Sequence, residues 1–274
     1  MKTEPLAAFI YDFDGTLSPG NMQEYAFMQQ LGLNPNDFWA RCEQRARTQQ
    51  GDNILSYMYE MLREATHKEM CISRESFRQC GARIELFPGV LDWFHRVNRY
   101  AEQKGVVLEH YIISSGLREM LEGSPICGHF KKIYASGFMY DTNGVAFWPA
   151  LAVNYTTKTQ FLFRINKGEL NEWDADGINA YMALADRRIS FRYMTYFGDG
   201  STDVPCMKLV KDQGGYAIAV YRPGGSEKAV PLLHHKRVQF TAPANYSEGE
   251  RLEQLAFGII DKWAAEMALD SEAG

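Results

Sequence analysis

The stretch Ala7-Ala8-Phe9-Ile10-Tyr11-Asp12-Phe13-Asp14-Gly15-Thr16-Leu17 decides how this chain is read. A short apolar run stops abruptly at two carboxylates and a glycine. A bulky run of that length, bounded by Gly, is the pattern of a buried strand. Side chains alternate faces along a strand. If the extended geometry persists, Asp12 and Asp14 therefore share one face at the strand's carboxyl end, and Phe13 turns into the packing. Gly15 lets the backbone leave the strand. Two like charges on one face are unfavourable unless a cation lies between them or one carboxyl is protonated. The same residues also suit an ordinary turn, because Asp-Gly is a common turn pair. The rest of the chain has to decide between the two.

The chain has 274 residues, 46% hydrophobic and 23% charged. That is an ordinary globular composition, enough for one large domain or two small ones. The net charge is −5 and the basic residues are scattered. Neither a nucleic-acid footprint nor a membrane-seeking face is expected. No apolar run approaches the ~18 residues of a spanning helix. Met1-Lys2-Thr3-Glu4-Pro5 leads directly into the first strand and has no signal-peptide shape. The five cysteines (Cys42, Cys71, Cys80, Cys127, Cys206) form no CxxC pair. They read as free thiols of a reducing cytoplasm, neither a disulfide frame nor a zinc site.

Strand then loop is expected over residues 6–18, and helices from about Asn21 to Arg83. Asn34-Pro35 is an N-cap followed by Pro at the first helical position. Ile54 to Ala65 carries Leu55, Met58, Tyr59 and Leu62 at helical spacing, and Ser73 caps a third helix. Pro88-Gly89 opens a helix with Val90, Phe94, Val97 and Ala101 on its buried stripe, and Val106 to Ile113 is the next strand. Strand, helix, strand is the cadence of a parallel α/β sheet. Further strands are expected at Lys132 to Ala135, Tyr193 to Phe197, Gly215 to Val220 and Val238 to Thr241. Asp141-Thr142-Asn143-Gly144 is a hairpin turn. Thr157 to Ile165 reads as a helix, and Gly168 to Arg188 as an acidic and then helical segment. Ser247 and Glu250 suggest a capping box before a C-terminal helix that buries Leu252, Leu255, Ile259 and Trp263.

Three further signals sit where an open α/β sheet places its site, beyond the carboxyl ends of strands. Ile112-Ile113-Ser114-Ser115-Gly116 can offer hydroxyls and backbone N–H groups to an anion. Tyr196-Phe197-Gly198-Asp199-Gly200-Ser201-Thr202-Asp203 places two carboxylates at one loop mouth, and carboxylates are hard ligands of the kind Mg2+ prefers. Lys158, near a helix start after Asn154-Tyr155-Thr156-Thr157, can neutralise a phosphate oxygen. Lys167 competes, but a cation at a helix C-terminus is expected from the dipole alone.

In order, these residues resemble the four signature motifs of the haloacid dehalogenase superfamily of phosphohydrolases. Asp12-x-Asp14-Gly15-Thr16 resembles the first, Ser114 the second, Lys158 the third and Gly198-Asp199-Gly200-x-x-Asp203 the fourth. The likeness spans about residues 7 to 207. It implies a Rossmann-like parallel sheet sandwiched by helices, with 1–18 and 85–274 as the α/β core. Residues 19–84 would be an all-helical cap of the phosphoserine phosphatase kind. One departure is the long stretch Gly168 to Arg188 between the lysine and the Gly-Asp-Gly turn.

The resemblance implies a Mg2+-dependent phosphatase acting on a small phosphorylated metabolite. Asp12 would be nucleophile and metal ligand. Asp14 would be general acid and then base, with its carbonyl on the metal. Asp199 would be a metal ligand, and Asp203 a support that orients Lys158. Ser114, Ser115 and Lys158 would hold the phosphoryl oxygens. Asp14 favours phosphate chemistry, since dehalogenases proper lack a carboxylate there and P-type pumps carry threonine. The alternatives are a phosphotransferase or phosphomutase, or a catalytically silent phosphate-binding protein. In phosphoserine phosphatases a glutamate soon after the first motif holds the substrate amine. The ungapped position here is Asn21, with Glu24 one turn further, so a substrate without an ammonium near the phosphate is expected. Other signals are set aside. Glu172 to Gly177 lacks the far glutamate of a calcium loop. His234-His235 are adjacent, and Phe38, Trp39, Tyr57 and Tyr59 read as packing. Arg41, Arg45 and Arg47 read as a solvated face.

Overall fold

Leu6–Tyr11 forms strand β1, and every residue from Ala7 to Tyr11 is fully buried. The computed structural model describes residues 5–200, 202–227 and 229–273; Met1-Lys2-Thr3-Glu4 and Ser201 of the Gly-Asp-Gly loop lie outside the described residues. The other strands are β2 (Val107–Leu117), β3 (Lys132–Tyr140), β4 (Ala146–Leu151), β5 (Met194–Gly198), β6 (Tyr216–Tyr221) and β7 (Phe240–Pro243). They make one sheet of order β4-β3-β2-β1-β5-β6-β7, parallel throughout except for the β3–β4 hairpin. Helices on both faces explain why β1 and β5 are continuous apolar runs rather than alternating ones.

Phe9 and Tyr11 point to one face. Phe9 packs on Trp263 of helix Arg251–Ala273, and Trp93 of helix Val90–Gln103 donates its Nε1–H to the Tyr11 hydroxyl at 2.9 Å. Ala8, Ile10 and Asp12 take the opposite face by alternation, where helices Lys158–Lys167 and Val204–Asp212 lie in contact with each other. In register, Tyr11 pairs with Ile112 of β2 and with Phe197 of β5. The residues just beyond those three therefore come to one level.

Between β1 and Val90–Gln103 the chain forms the helices Met22–Tyr25, Phe27–Gln30, Pro35–Gln49, Asn53–His67 and Arg74–Gly81. The caps read from sequence are formed. Asn34 Oδ1 accepts the Asp37 N–H at 3.2 Å, and Ser73 and Ser76 make a reciprocal capping box. Each such cap contributes about 1 kcal/mol. Arg74–Gly81 packs on helix Arg118–Gly123 so closely that a Cβ on Gly81 would collide with the Met120 carbonyl.

Two local expectations differ from the structure. Gly168 to Arg188 holds only the short helix Ala175–Asn179 and a 3-10 turn at Leu184–Asp186. Its carbonyls have another partner, because the buried Arg164 guanidinium donates to Asn171 at 2.6 Å, Asp174 at 3.0 Å and Glu172 at 3.2 Å. The Ser247/Glu250 capping box is replaced, since Glu253 accepts the Gly249 N–H at 2.6 Å and the helix begins at Arg251. Its four anchors Leu252, Leu255, Ile259 and Trp263 are buried. All five cysteines are free. Among the described residues no helix is long and apolar enough to cross a membrane.

Candidate active site

The parallel register of β2, β1 and β5 brings Ser114, Ser115, Asp12, Asp14 and Asp199 to one edge of the sheet, where they line a cleft of about 560 Å³. The Asp12 N–H donates to the Phe197 carbonyl at 2.9 Å, which ties the two central loops together. Asn21, Glu24 and Ile54 of the helical insertion close one side, and Tyr221 at the end of β6, with Arg222 and Glu227 beyond it, forms another. Phe13 is fully buried, as the alternation requires.

Lys158 starts its helix from a turn in which Asn154 Oδ1 accepts the N–H groups of Thr156 and Thr157 at 3.0 and 2.9 Å. Its side chain is wholly buried, with Nζ 3.1 Å from Asp12 and 2.8 Å from Asp203. The Tyr196 hydroxyl donates to the same Asp203 oxygen at 2.7 Å. Lys167, the competing lysine, instead donates to the carbonyls of Ile178 and Ala180, both at 2.6 Å. Burial favours the neutral amine of Lys158, but Asp12 and Asp203 outweigh it and hold the group above its ordinary range. Burial and then Asp203 push Asp12 well up, against the pull of Lys158.

Asp14 has different surroundings. Its Oδ1 accepts the Met22 N–H at 3.0 Å. Burial pushes its carboxyl up to about 8; the Met22 N–H opposes this and the Asp199 charge adds to it. A carboxyl in that range still carries a proton to donate near neutral pH. Gly15 has φ +78°, and a Cβ there would collide with the Asp199 carboxylate, so only glycine lets these two loops meet. Ser114 is buried, and its Oγ accepts the Gly116 N–H at 3.0 Å. The hydroxyl proton of Ser114 is left to donate elsewhere. Ser115 Oγ is a buried hydroxyl without a protein partner.

The donor set fits a hard divalent cation. Asp12, Asp199 and Asp203 offer oxygens that all lie within 4.8 Å of one another. Buried Asp203 Oδ2 has no hydrogen-bond partner. Burial and then Asp203 raise Asp12, and burial with the Asp199 charge raises Asp14, so a cation among these carboxyls would relieve their mutual repulsion. Oxygen-only ligands of this kind suit Mg2+, Mn2+ or Ca2+. Among the described residues the close carboxylate group includes Asp203, whereas the Asp14 carboxyl turns to Met22.

Several contributors are not visible from sequence. Tyr57, read as packing, sends its hydroxyl to the Ser115 carbonyl at 2.7 Å. Met22 caps Asp14, and its sulfur lies 3.1 Å from the Leu117 nitrogen. Asn154 Nδ2 donates to Asp52 Oδ2 at 2.7 Å and so joins the insertion to the lysine turn. Tyr196 is the one with a local signal, since it lies in the strand that delivers Asp199. The arginines are not a solvated face throughout. Arg41, Arg45 and Arg63 surround the buried carboxylate of Glu60, in a hollow of about 240 Å³ away from the cleft. Arg47 pairs with Glu43 in solvent.

Comparison with known proteins adds four findings. Residues 9–208 match the family model of haloacid dehalogenase-like hydrolases. An uncharacterized protein of Borreliella burgdorferi is 28% identical over 280 residues, covering 92% of this chain and 95% of that one. Among solved structures, a HAD family hydrolase from Salmonella enterica serovar Typhi superposes with TM-score 0.60 at 18% identity, over 94% of this chain and 72% of that one. A phospho-aspartyl intermediate analogue of phosphoserine phosphatase superposes with TM-score 0.54 at 14% identity, over 91% and 96%. At these identities the structural likeness carries the fold.

Proposed function

The chain belongs to the haloacid dehalogenase-like hydrolase family, and on that premise we propose that it is a Mg2+-dependent phosphatase. It would hydrolyse a small phosphorylated metabolite through an aspartyl-phosphate on Asp12. The observation that carries this reading is the difference in partners between two buried carboxyls two residues apart: Asp12 lies 3.1 Å from the Lys158 ammonium, whereas Asp14 accepts the Met22 N–H at 3.0 Å. Burial raises both, Asp14 to about 8, and Asp12 has the Lys158 ammonium in contact to favour its ionised form. Neighbouring carboxyls with different partners divide the labour of nucleophile and acid.

Asp12 attacks phosphorus, and the ester oxygen departs with the proton of Asp14. Asp14, now ionised, takes a proton from water as that water attacks the acyl phosphate, which returns Asp12 as a carboxylate and releases inorganic phosphate. Lys158 and the hydroxyls of Ser114 and Ser115 hold phosphoryl oxygens, where fixed donors act most strongly on developing charge. Asp203 and Tyr196 keep Lys158 in place. Mg2+ held by Asp12, Asp199 and the Asp14 carbonyl would offset the repulsion between carboxylate and phosphate. Residues 19–84 would act as a helical cap on a core of 1–18 and 85–274, supported by Asn21, Glu24 and Ile54 on the cleft wall.

The test is hydrolysis of a broad panel of phosphorylated metabolites with Mg2+, with Asp12→Asn as control. Release of phosphate by the wild type alone is expected. No release from any phosphoester, or equal release by Asp12→Asn, would contradict the proposal.

A further inference from the structure

We infer that Tyr57, from the helical insertion, is a positioning residue that fixes the Ser115–Gly116 peptide and through it the phosphate-binding hydroxyl of Ser114. The inference rests on the reading of Ser114 as a phosphate ligand.

The Tyr57 hydroxyl donates to the Ser115 carbonyl at 2.7 Å, and Ser136 Oγ donates to the same oxygen at 3.1 Å. Both lone pairs of that carbonyl are used. A peptide unit is planar, so anchoring its C=O sets the direction of its N–H. That N–H belongs to Gly116 and donates to Ser114 Oγ at 3.0 Å. With one acceptor site of Ser114 Oγ filled from a fixed direction, its own proton is directed elsewhere, and the cleft is the space that Ser114 lines. The chain of contacts runs Tyr57, Ser115 carbonyl, Gly116 N–H, Ser114 hydroxyl.

Tyr57 is well placed for this task. It is 4% exposed, and its ring packs edge-on against Trp39 with centroids 5.9 Å apart. Its helix is fixed at the base, since Asp52 Oδ1 accepts the Ile54 and Leu55 N–H groups at 2.8 and 3.0 Å. Asp52 Oδ2 meanwhile accepts from Asn154, in the turn that launches Lys158. The insertion thus braces both phosphate-facing segments, and Tyr57 is not among the described residues that line the cleft.

Tyr57→Phe removes the hydroxyl and keeps the ring. Affinity for inorganic phosphate, measured calorimetrically on the Mg2+-loaded full chain, is compared for wild type, Tyr57→Phe, Ser114→Ala and the double variant, with Tm recorded for each. Loss of one such hydrogen bond predicts phosphate affinity about tenfold weaker in Tyr57→Phe. In the Ser114→Ala background the same change should have no further effect, because the relay ends at Ser114. Ser136→Ala, which removes the second donor to the carbonyl, gives a smaller loss of the same kind and serves if Tyr57→Phe does not fold. Unchanged phosphate affinity in Tyr57→Phe with a lowered Tm would make Tyr57 a packing residue and overturn the inference. A loss that adds fully to that of Ser114→Ala would overturn it too. A wild type that neither binds phosphate nor hydrolyses any phosphoester would overturn the phosphatase reading, and this inference with it.

Discussion

Lys158 Nζ lies between Asp203 at 2.8 Å and Asp12 at 3.1 Å, with all three side chains buried. One ammonium therefore ties the loop after β1 to the loop after β5. Removing one partner of a buried ion pair leaves an uncompensated charge and costs roughly 3–5 kcal/mol. Lys158→Met should lower stability by about that much in urea unfolding, and adding Asp203→Asn should recover part of the loss. Turnover should fall by about 10²–10³ through loss of a fixed charge at the phosphoryl group. Stability equal to wild type would contradict the ion-pair account.

Asp14 and Met22 give the second prediction. The Asp14 carboxyl keeps its proton through burial. Asp14→Asn should slow hydrolysis of alkyl phosphates severely and of an aryl phosphate much less, because a good leaving group needs little protonation. Steady-state rates against leaving-group pKa check this. Equal losses on both substrates would remove the general-acid role.

His110 gives a pH dependence unrelated to turnover. Its ring is buried, with Nδ1 3.1 Å from the Tyr11 hydroxyl and Nε2 2.9 Å from Asn98 Oδ1. Asn98 Oδ1 can only accept, so Nε2 carries the proton, Tyr11 donates to Nδ1 while accepting from Trp93, and the neutral imidazole satisfies every partner. Burial, with His129 adding to it, lowers His110 from 6.5 to about 3. The folded-state value lies below the unfolded one, so this stabilisation is complete above about pH 6.5 and is lost as pH falls towards 3. The slope is about 1.4 kcal/mol per pH unit across that window. Chemical denaturation at stepped pH should show it, and His110→Asn should flatten it. An equal slope in the variant would assign the effect to other groups.

The parts of this fold legible in the sequence are those written locally. The β1 run, the Asp141 to Gly144 turn, and the caps at Asn34 and Ser73 depend on neighbours a few residues away. The residues around the cleft were legible for a related reason, since strand ends carry them and a parallel sheet aligns its strand ends. What escaped was set by distant partners. The carbonyls after Gly168 are gathered by Arg164, so an acidic stretch that looked helical stays mostly irregular. Tyr57 sits among aromatics at helical spacing, and nothing local says that its hydroxyl meets a carbonyl 58 residues away.

Glu24 bears on substrate choice. Its Oε1 accepts from Asn21 Nδ2 at 2.6 Å and Trp39 Nε1 at 2.7 Å, on the wall of the cleft. These bonds hold the Glu24 carboxylate against Asn21 and Trp39, and the neutral Asn21 amide cannot match an ammonium's charge, since a charge-assisted bond is about twice as strong as a neutral one. Phosphoserine should therefore be a poorer substrate than sugar, nucleotide or polyol phosphates by kcat/KM. A clear preference for phosphoserine, lost on Glu24→Gln, would show the opposite.

The most direct test of the account is to find where the phosphoryl group goes. Asp14→Asn, which lacks the base for the second step, is incubated with Mg2+ and an aryl phosphate, quenched in acid and mapped by peptide mass spectrometry. The account predicts one phosphoryl group on the peptide containing Asp12, absent when Asp12→Asn is added. Steady hydrolysis with no phosphoryl group on Asp12, or turnover that survives Asp12→Asn, would contradict it.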